Sequence, residues 1–294
     1  SVFKVFTAAG VVDAGNANYH RLVDCENGAW RLKGHTLHDD KRHGLLNFRE
    51  IIEVSSNIGI AKLAIEVDGD EMFDLYRRFG FGKRLRCGLP GEASGRLVPP
   101  GKWSDYNIAA VAMGHSIAVT PLQLASAMAA VANGGTLYRP GVVESIVPVD
   151  GGDPIYTFEP EEEGKLPVTP ENLKIIQDAM RSVVENRRGT AWHRFTGLDV
   201  PVYGKTGTAQ SGSGEPHAWF AGYTLENRQD KPDIAIAVVV ENIGEGSDYA
   251  APIFRRIVEQ YFEGRPGKLY PWESGFYVTR TPTPEGEEAP TPEP

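Results

Sequence analysis

The period of the apolar residues changes near residue 200, and this restricts the fold more than any other feature. Before it, apolar side chains recur at spacings of three and four, as on one face of a helix. Leu173, Ile176, Met180 and Val184 form the clearest such set. After it come three runs of strand length and composition: Val200 to Ala209, Ala218 to Leu225 and Ile234 to Glu241. Gly-, Asn- and Pro-containing turns separate them. A helical period returns over Tyr249 to Phe262. Helices, then a meander of strands, then a closing helix read as an α+β fold with an antiparallel sheet covered by helices.

Local signals refine the first two thirds. Ser1 to Ala9 begins as a helix would, with Ser at the capping position and Val2, Phe3 and Phe6 behind it. Ala14 to Gly44 is polar and Gly-punctuated, a loop with short extended pieces. Phe48 to Val67 has helical spacing but is interrupted by Ser55-Ser56-Asn57, residues that favour caps and turns, so two helices are expected to meet there. Glu71 to Phe79 is a further helix, closed by Gly80 and Gly82. Thr120-Pro121 opens a helix through Ala132, ended by Asn133-Gly134-Gly135. Pro170 to Arg187 is amphipathic, with Gly189 as its stop. One domain is expected over residues 1–265. The extension over 266–294 ends in a Pro- and Glu-rich tail that is expected to be disordered.

Composition excludes little but usefully. With 30 Lys and Arg against 39 Asp and Glu the net charge is −9. No basic stripe interrupts that balance, so a nucleic-acid partner is not expected. No apolar run approaches the roughly 18–20 residues that span a bilayer. Cys25 and Cys87 match no zinc or redox spacing and read as two buried thiols. His35, His38, Asp39, Asp40 and His43 lie close in sequence without a helical framework. They read as a solvated polar loop, and no metal or cofactor is expected.

Three short motifs carry the chemistry. In Ser1-x-x-Lys4, the i and i+3 positions of a helix share a face, so an amine can stand near the Ser hydroxyl. Serine is a weak nucleophile until a base takes its proton, and Lys serves as that base only when its pKa is lowered. About one chance match is expected in a chain this long, and a capping Ser followed by a solvated Lys is the plain alternative. Ser55-Ser56-Asn57 places a hydroxyl and an amide in a tight turn, which helix capping alone would also explain. Lys205-Thr206-Gly207-Thr208 puts a cation and two hydroxyls on a strand, suited to a carboxylate. There Gly207 would let a ligand approach the backbone. A chance Lys-Thr-Gly is expected roughly once in ten or more such chains, and ordinary strand-end polarity is its alternative. All three in this order, in helix, turn and strand context, match the set of penicillin-binding proteins and class A β-lactamases.

The resemblance extends well beyond the motifs. Glu53-Val-Ser-Ser-Asn-Ile-Gly-Ile-Ala-Lys62, Phe79-Gly-Phe-Gly82, Leu89-Pro-Gly-Glu92, Met113-Gly-His-Ser-Ile-Ala-Val-Thr-Pro-Leu-Gln-Leu124, Lys205-Thr-Gly-Thr-Ala-Gln210 and His217-Ala-Trp-Phe-Ala-Gly-Tyr223 resemble class B penicillin-binding proteins. These are the monofunctional D,D-transpeptidases, and the likeness is strongest to the cell-division branch. It implies that Ser1 attacks the carbonyl between the terminal D-alanines of a peptidoglycan stem peptide while Lys4 accepts its proton. Ser55 would pass a proton to the leaving amine, with Lys205 shaping the field. Asn57 would hold the substrate amide, and Thr206 and Thr208 the terminal carboxylate. Ser1 and Thr208 backbone N–H groups would form the oxyanion hole. β-Lactams would be inhibitors, a membrane-bound division complex the partner, and the outer face of the bacterial inner membrane the location. The family also carries chain before its nucleophile, including two strands of the central sheet. The present sequence is therefore expected to leave the strand Ile234 to Glu241 as an open edge, with poor stability and activity.

Other readings explain less. A β-lactamase or β-lactam sensor shares the motifs, but no Glu-x-x-Leu-Asn segment that would activate a deacylating water follows Ser55-Ser56-Asn57. An N-terminal-nucleophile hydrolase leaves Lys4, Ser55, Asn57 and Lys205 without roles. A fragment that only binds partners, through a surface kept from a membrane division complex, is separated from an active acylase by labelling with a fluorescent penicillin.

Overall fold

The computed structural model describes residues 1–101, 103–210 and 214–264. The tail expected over 266–294 lies outside them. Helix α1 (Lys4–Asp13) is followed by four short strands, β1 (Leu22–Asp24), β2 (Ala29–Leu32), β3 (His35–His38) and β4 (Leu45–Asn47). They pair as β1–β4 and β2–β3. Five helices follow: α2 (Phe48–Glu53), α3 (Asn57–Ala64), α4 (Gly69–Arg78), α5 (Asp105–Met113) and α6 (Pro121–Ala132). Strands β5 (Thr136–Tyr138) and β8 (Glu162–Lys165) pair around the small hairpin β6 (Ser145–Ile146) and β7 (Tyr156–Thr157). Helices α7 (Pro170–Glu185) and α8 (Trp192–Phe195) lead into β9 (Val202–Ala209), β10 (His217–Thr224) and β11 (Ala235–Val240), and α9 (Ala250–Glu263) closes the fold.

The three late strands form one antiparallel sheet in the order β11-β10-β9, as the change of period indicated. The outer edge of β11 has no strand partner among the described residues. Alternation along the strands assigns the two faces. Tyr223 of β10 reaches Met180 of α7 and stacks on Tyr203 of β9, so odd-numbered residues face α7 and α1. Phe220 packs on Phe254 of α9 and Phe195 of α8, so even-numbered residues face the opposite layer. Lys205 and Gly207 therefore share one face, and Thr206 and Thr208 the other.

Helix α1 lies among α3, α4, α5 and α7, and every residue from Lys4 to Val12 is buried. Its start differs from the expectation. Phe3 occupies the cap position without a side-chain cap, and Ser1 stands one turn earlier, its carbonyl accepting from the Lys4 amide at 3.2 Å. Aromatic packing fixes that start instead. The Phe3 ring lies 4.7 Å from Tyr76, 5.0 Å from Phe81 and 5.6 Å from Phe6. Helices α2, α3 and α6 fall where their caps predict. Asn47–Glu50 and Thr120–Gln123 form reciprocal capping boxes.

Candidate active site

Three elements converge on one hydroxyl. The chain between α2 and α3 turns sharply at Ser55, which has φ +61°, left-handed backbone that a non-glycine residue adopts at a cost of about 1 kcal/mol or more. From α1, the buried Lys4 Nζ donates to the Ser55 carbonyl at 2.6 Å and to Ser55 Oγ at 3.1 Å. From β9, the buried Lys205 Nζ donates to the same Ser55 Oγ at 2.7 Å and to the Thr206 carbonyl at 3.1 Å. Ser1, one turn before Lys4, is half-buried against the end of α5, where Gly114 has φ +94°. A side chain built at Gly114 would come within 3.4 Å of the Ser1 nitrogen.

Two buried ammonium groups on one half-buried hydroxyl disfavour each other's charge. Burial pulls Lys4 down to about 7, and the Asp39 carboxylate partly opposes that shift. Burial, then the charge on Lys4, holds Lys205 well below its ordinary value. Desolvation, the condition under which an amine serves as a base, is thus supplied by the packing around α1. A Lys4 amine shifted this far can give up its proton near neutral pH, as an ordinary lysine cannot.

Asp39 anchors this corner, which corrects its reading as one more solvated loop residue, while His35, His38 and Asp40 are exposed as expected. His35 and His38 bound β3, and the His35 ring stacks on Tyr106 at 3.9 Å. The Asp39 carboxylate accepts from Ser56 Oγ at 2.7 Å, the Asn57 amide at 2.5 Å and the Ile58 amide at 3.0 Å. It thereby satisfies donors that the first turn of α3 leaves free, at the positive end of the helix dipole. Asn57, the first residue of α3, donates its side-chain nitrogen to the His38 carbonyl at 2.8 Å. Cys25 lies beneath, its sulfur 3.4 Å from Ser56 Oγ; it and Cys87 are free thiols, as expected.

Strand β9 supplies the remaining groups. Thr206 is 7% exposed and its hydroxyl shares a 2.7 Å hydrogen bond with Thr190, so it is tied to the Gly189-Thr190 turn. Thr208 is half-buried and donates its hydroxyl to Glu245. The Cβ direction of Gly207 is filled from within the fold. A Cβ there would come 2.6 Å from Val2 Cγ2 and 3.2 Å from the Val2 nitrogen. The side-chain space at Gly207 thus admits the chain just after Ser1, where a ligand was expected.

The fold brings Lys4, Ser55 and Lys205 into direct contact and places Ser1, Asn57, Thr206, Gly207 and Thr208 around them. Asp39, Thr190 and Glu245 escaped the sequence reading. For Thr190 a signal existed, since it follows the helix-stopping Gly189. For Asp39 the run of polar residues masked a capping carboxylate.

The family profile described as penicillin binding protein transpeptidase domain matches residues 1–259. The chain is 30% identical to penicillin-binding protein PbpB of Mycobacterium tuberculosis over 277 residues, covering 87% of this chain and 40% of that protein. It is 29% identical to peptidoglycan D,D-transpeptidase FtsI of Escherichia coli over 240 residues, 78% of this chain and 38% of that one. Among solved structures, penicillin binding protein 3 of M. tuberculosis complexed with ampicillin is similar at a TM-score of 0.77 and 26% identity, over 92% of this chain and 63% of that one. The chain spans about two fifths of the length of these curated relatives.

Proposed function

The chain belongs to the family of penicillin-binding protein transpeptidase domains, and from that premise we propose that it is a serine-type peptidoglycan D,D-transpeptidase. The observation that carries this reading is the Ser55 hydroxyl held by both Lys205 and Lys4, the latter one turn of chain after Ser1. Ser1 Oγ attacks the carbonyl joining the two terminal D-alanines of a stem peptide and gives its proton to the neutral Lys4 amine. As the carbon–nitrogen bond breaks, Ser55 passes a proton to the departing D-alanine amine, and Lys4 restores it. Lys205 lowers the energy of negative charge in the cleft, and Asn57 positions the donor peptide. An amine of a second stem peptide then attacks the ester, forms the cross-link and releases Ser1. With water in its place the same ester gives carboxypeptidase activity.

Thr206 and Thr208 are the hydroxyls that receive the terminal carboxylate, on either side of Gly207 in the strand, and β-lactams acylate Ser1 by mimicking that donor. No helix among the described residues is long and apolar enough to cross a membrane. A peptidoglycan substrate supports the outer face of the bacterial inner membrane as the location, and the likeness of the motifs to the cell-division branch supports a division complex as the partner. Intact-mass measurement of the full-length protein after incubation with benzylpenicillin tests the reading. One penicilloyl adduct mapped to Ser1 is the expected result; a folded protein without it would sink the assignment.

A further inference from the structure

The Thr208 hydroxyl, which the proposed reaction requires for a ligand carboxylate, already donates to a carboxylate of the protein. Its partner is Glu245, in the loop between β11 and α9. A threonine hydroxyl has one proton to donate. While Glu245 holds it, a ligand carboxylate at the same strand end meets an engaged donor and a neighbouring negative charge. Glu245 is itself exposed, so it faces whatever enters from solvent.

The loop that carries Glu245 is pinned to the sheet. A Cβ built on the next residue, Gly246, would lie 2.2 Å from the Trp219 carbonyl oxygen and 2.3 Å from that of Gly207. The loop backbone therefore rests directly on the β9–β10 pair beside Thr208, where no side chain larger than hydrogen fits. Downstream, the Glu245 carbonyl accepts from the Asp248 amide at 3.0 Å and the Tyr249 amide at 3.2 Å, which ties the loop to the start of α9. With its backbone fixed on both sides, Glu245 can leave Thr208 by side-chain rotation but stays at the cleft edge. Its carboxyl group then stays beside the site in either position.

We infer that Glu245 is a specificity-determining residue that competes with the ligand carboxylate for Thr208 and discriminates among ligands by charge. It weakens the binding of ligands carrying further negative charge and is more tolerant of ligands carrying a compensating ammonium. The inference rests on the D,D-transpeptidase reading, and its test separates the two.

The test measures acylation of the full-length protein by three penicillins that differ in side-chain charge: carbenicillin with a second carboxylate, neutral-side-chain benzylpenicillin, and ampicillin with an ammonium. Glu245→Gln removes the charge while keeping the shape, and Glu245→Ala also frees the Thr208 hydroxyl. The second-order rate is expected to rise on the order of 3- to 10-fold for benzylpenicillin in Glu245→Gln, more for carbenicillin and least for ampicillin. The gain should appear in the concentration for half-saturation, not in the limiting acylation rate, and shrink as salt is raised. Unchanged rates in both variants would overturn the inference alone, as would a gain that ignores ligand charge. Absence of any adduct on folded parent protein would overturn the transpeptidase reading, and this inference with it.

Discussion

The starts of α1 and α3 meet at the same hydroxyl but are held there by different forces. The start of α1 has no side-chain cap and is placed by the rings of Phe3, Phe6, Tyr76 and Phe81. The start of α3 is placed by polar contacts, three of them to the Asp39 carboxylate. The difference suits their tasks. Lys4 needs a dry surrounding that lowers its pKa, which apolar packing supplies. Ser55 and Asn57 must stay oriented at the cleft, which directional hydrogen bonds supply.

Removing the group that joins the two starts is the sharpest way to break the comparison. Lys4→Ala is expected to lower the penicillin acylation rate about a thousandfold, the scale of a lost general base, with Lys205→Ala falling clearly less. Stopped-flow or gel-based acylation measures both, and a Lys4→Ala rate near that of the parent places the base elsewhere. Phe3→Ala tests the packed start. It should cost about 3–4 kcal/mol in denaturant unfolding, as large truncations of buried aromatics do, because Phe3 is 4% exposed. A loss under 1 kcal/mol would mean that the ring cluster does not position α1.

Asp39→Asn tests the hydrogen-bonded start through a different readout. Its stability cost is expected to be about 1–3 kcal/mol. Its signature is the pH profile. In the proposed mechanism Lys4 acts as the neutral amine, so acylation is expected to rise with pH through about 7. The Asp39 carboxylate favours the charged form, so removing that charge lowers the Lys4 pKa and moves the rising limb to lower pH. A limb that stays fixed, or moves upward, contradicts the assignment. The smallest effect is expected for Thr190→Val, which removes the hydroxyl partner of Thr206. About 1 kcal/mol of stability and a few-fold change in acylation should follow; a larger loss would make that turn part of the cleft itself.

What could be read in the sequence follows the same division. The junction at Ser55-Ser56-Asn57, helix α6 behind Thr120-Pro121 and the three late strands are announced by residues next to them in the chain. Helix α5 was not, because Ile108 through Met113 are all buried and leave no polar face to reveal a period. The hairpin β6–β7 escaped because two-residue strands carry no alternation. Ser1 looked like a cap because a serine before an apolar run is the usual capping signal, and only the packing of Phe3 moves the helix start past it. Thr190 meets its partner sixteen residues away and Glu245 thirty-seven away. Local pattern does not encode such distances.

The Ser55 hydroxyl, held by two lysines, works as a counter of positive charge. An oxygen of this kind has two lone pairs and one proton. With both ammonium groups donating, both lone pairs are occupied and the proton has no inward acceptor, so it turns toward the cleft. Once Lys4 is neutral, its nitrogen becomes an acceptor and can draw that proton inward. The orientation of one hydroxyl thus records whether the site is loaded to give a proton or to take one. A change in the charge of either amine would then be enough to turn that one proton.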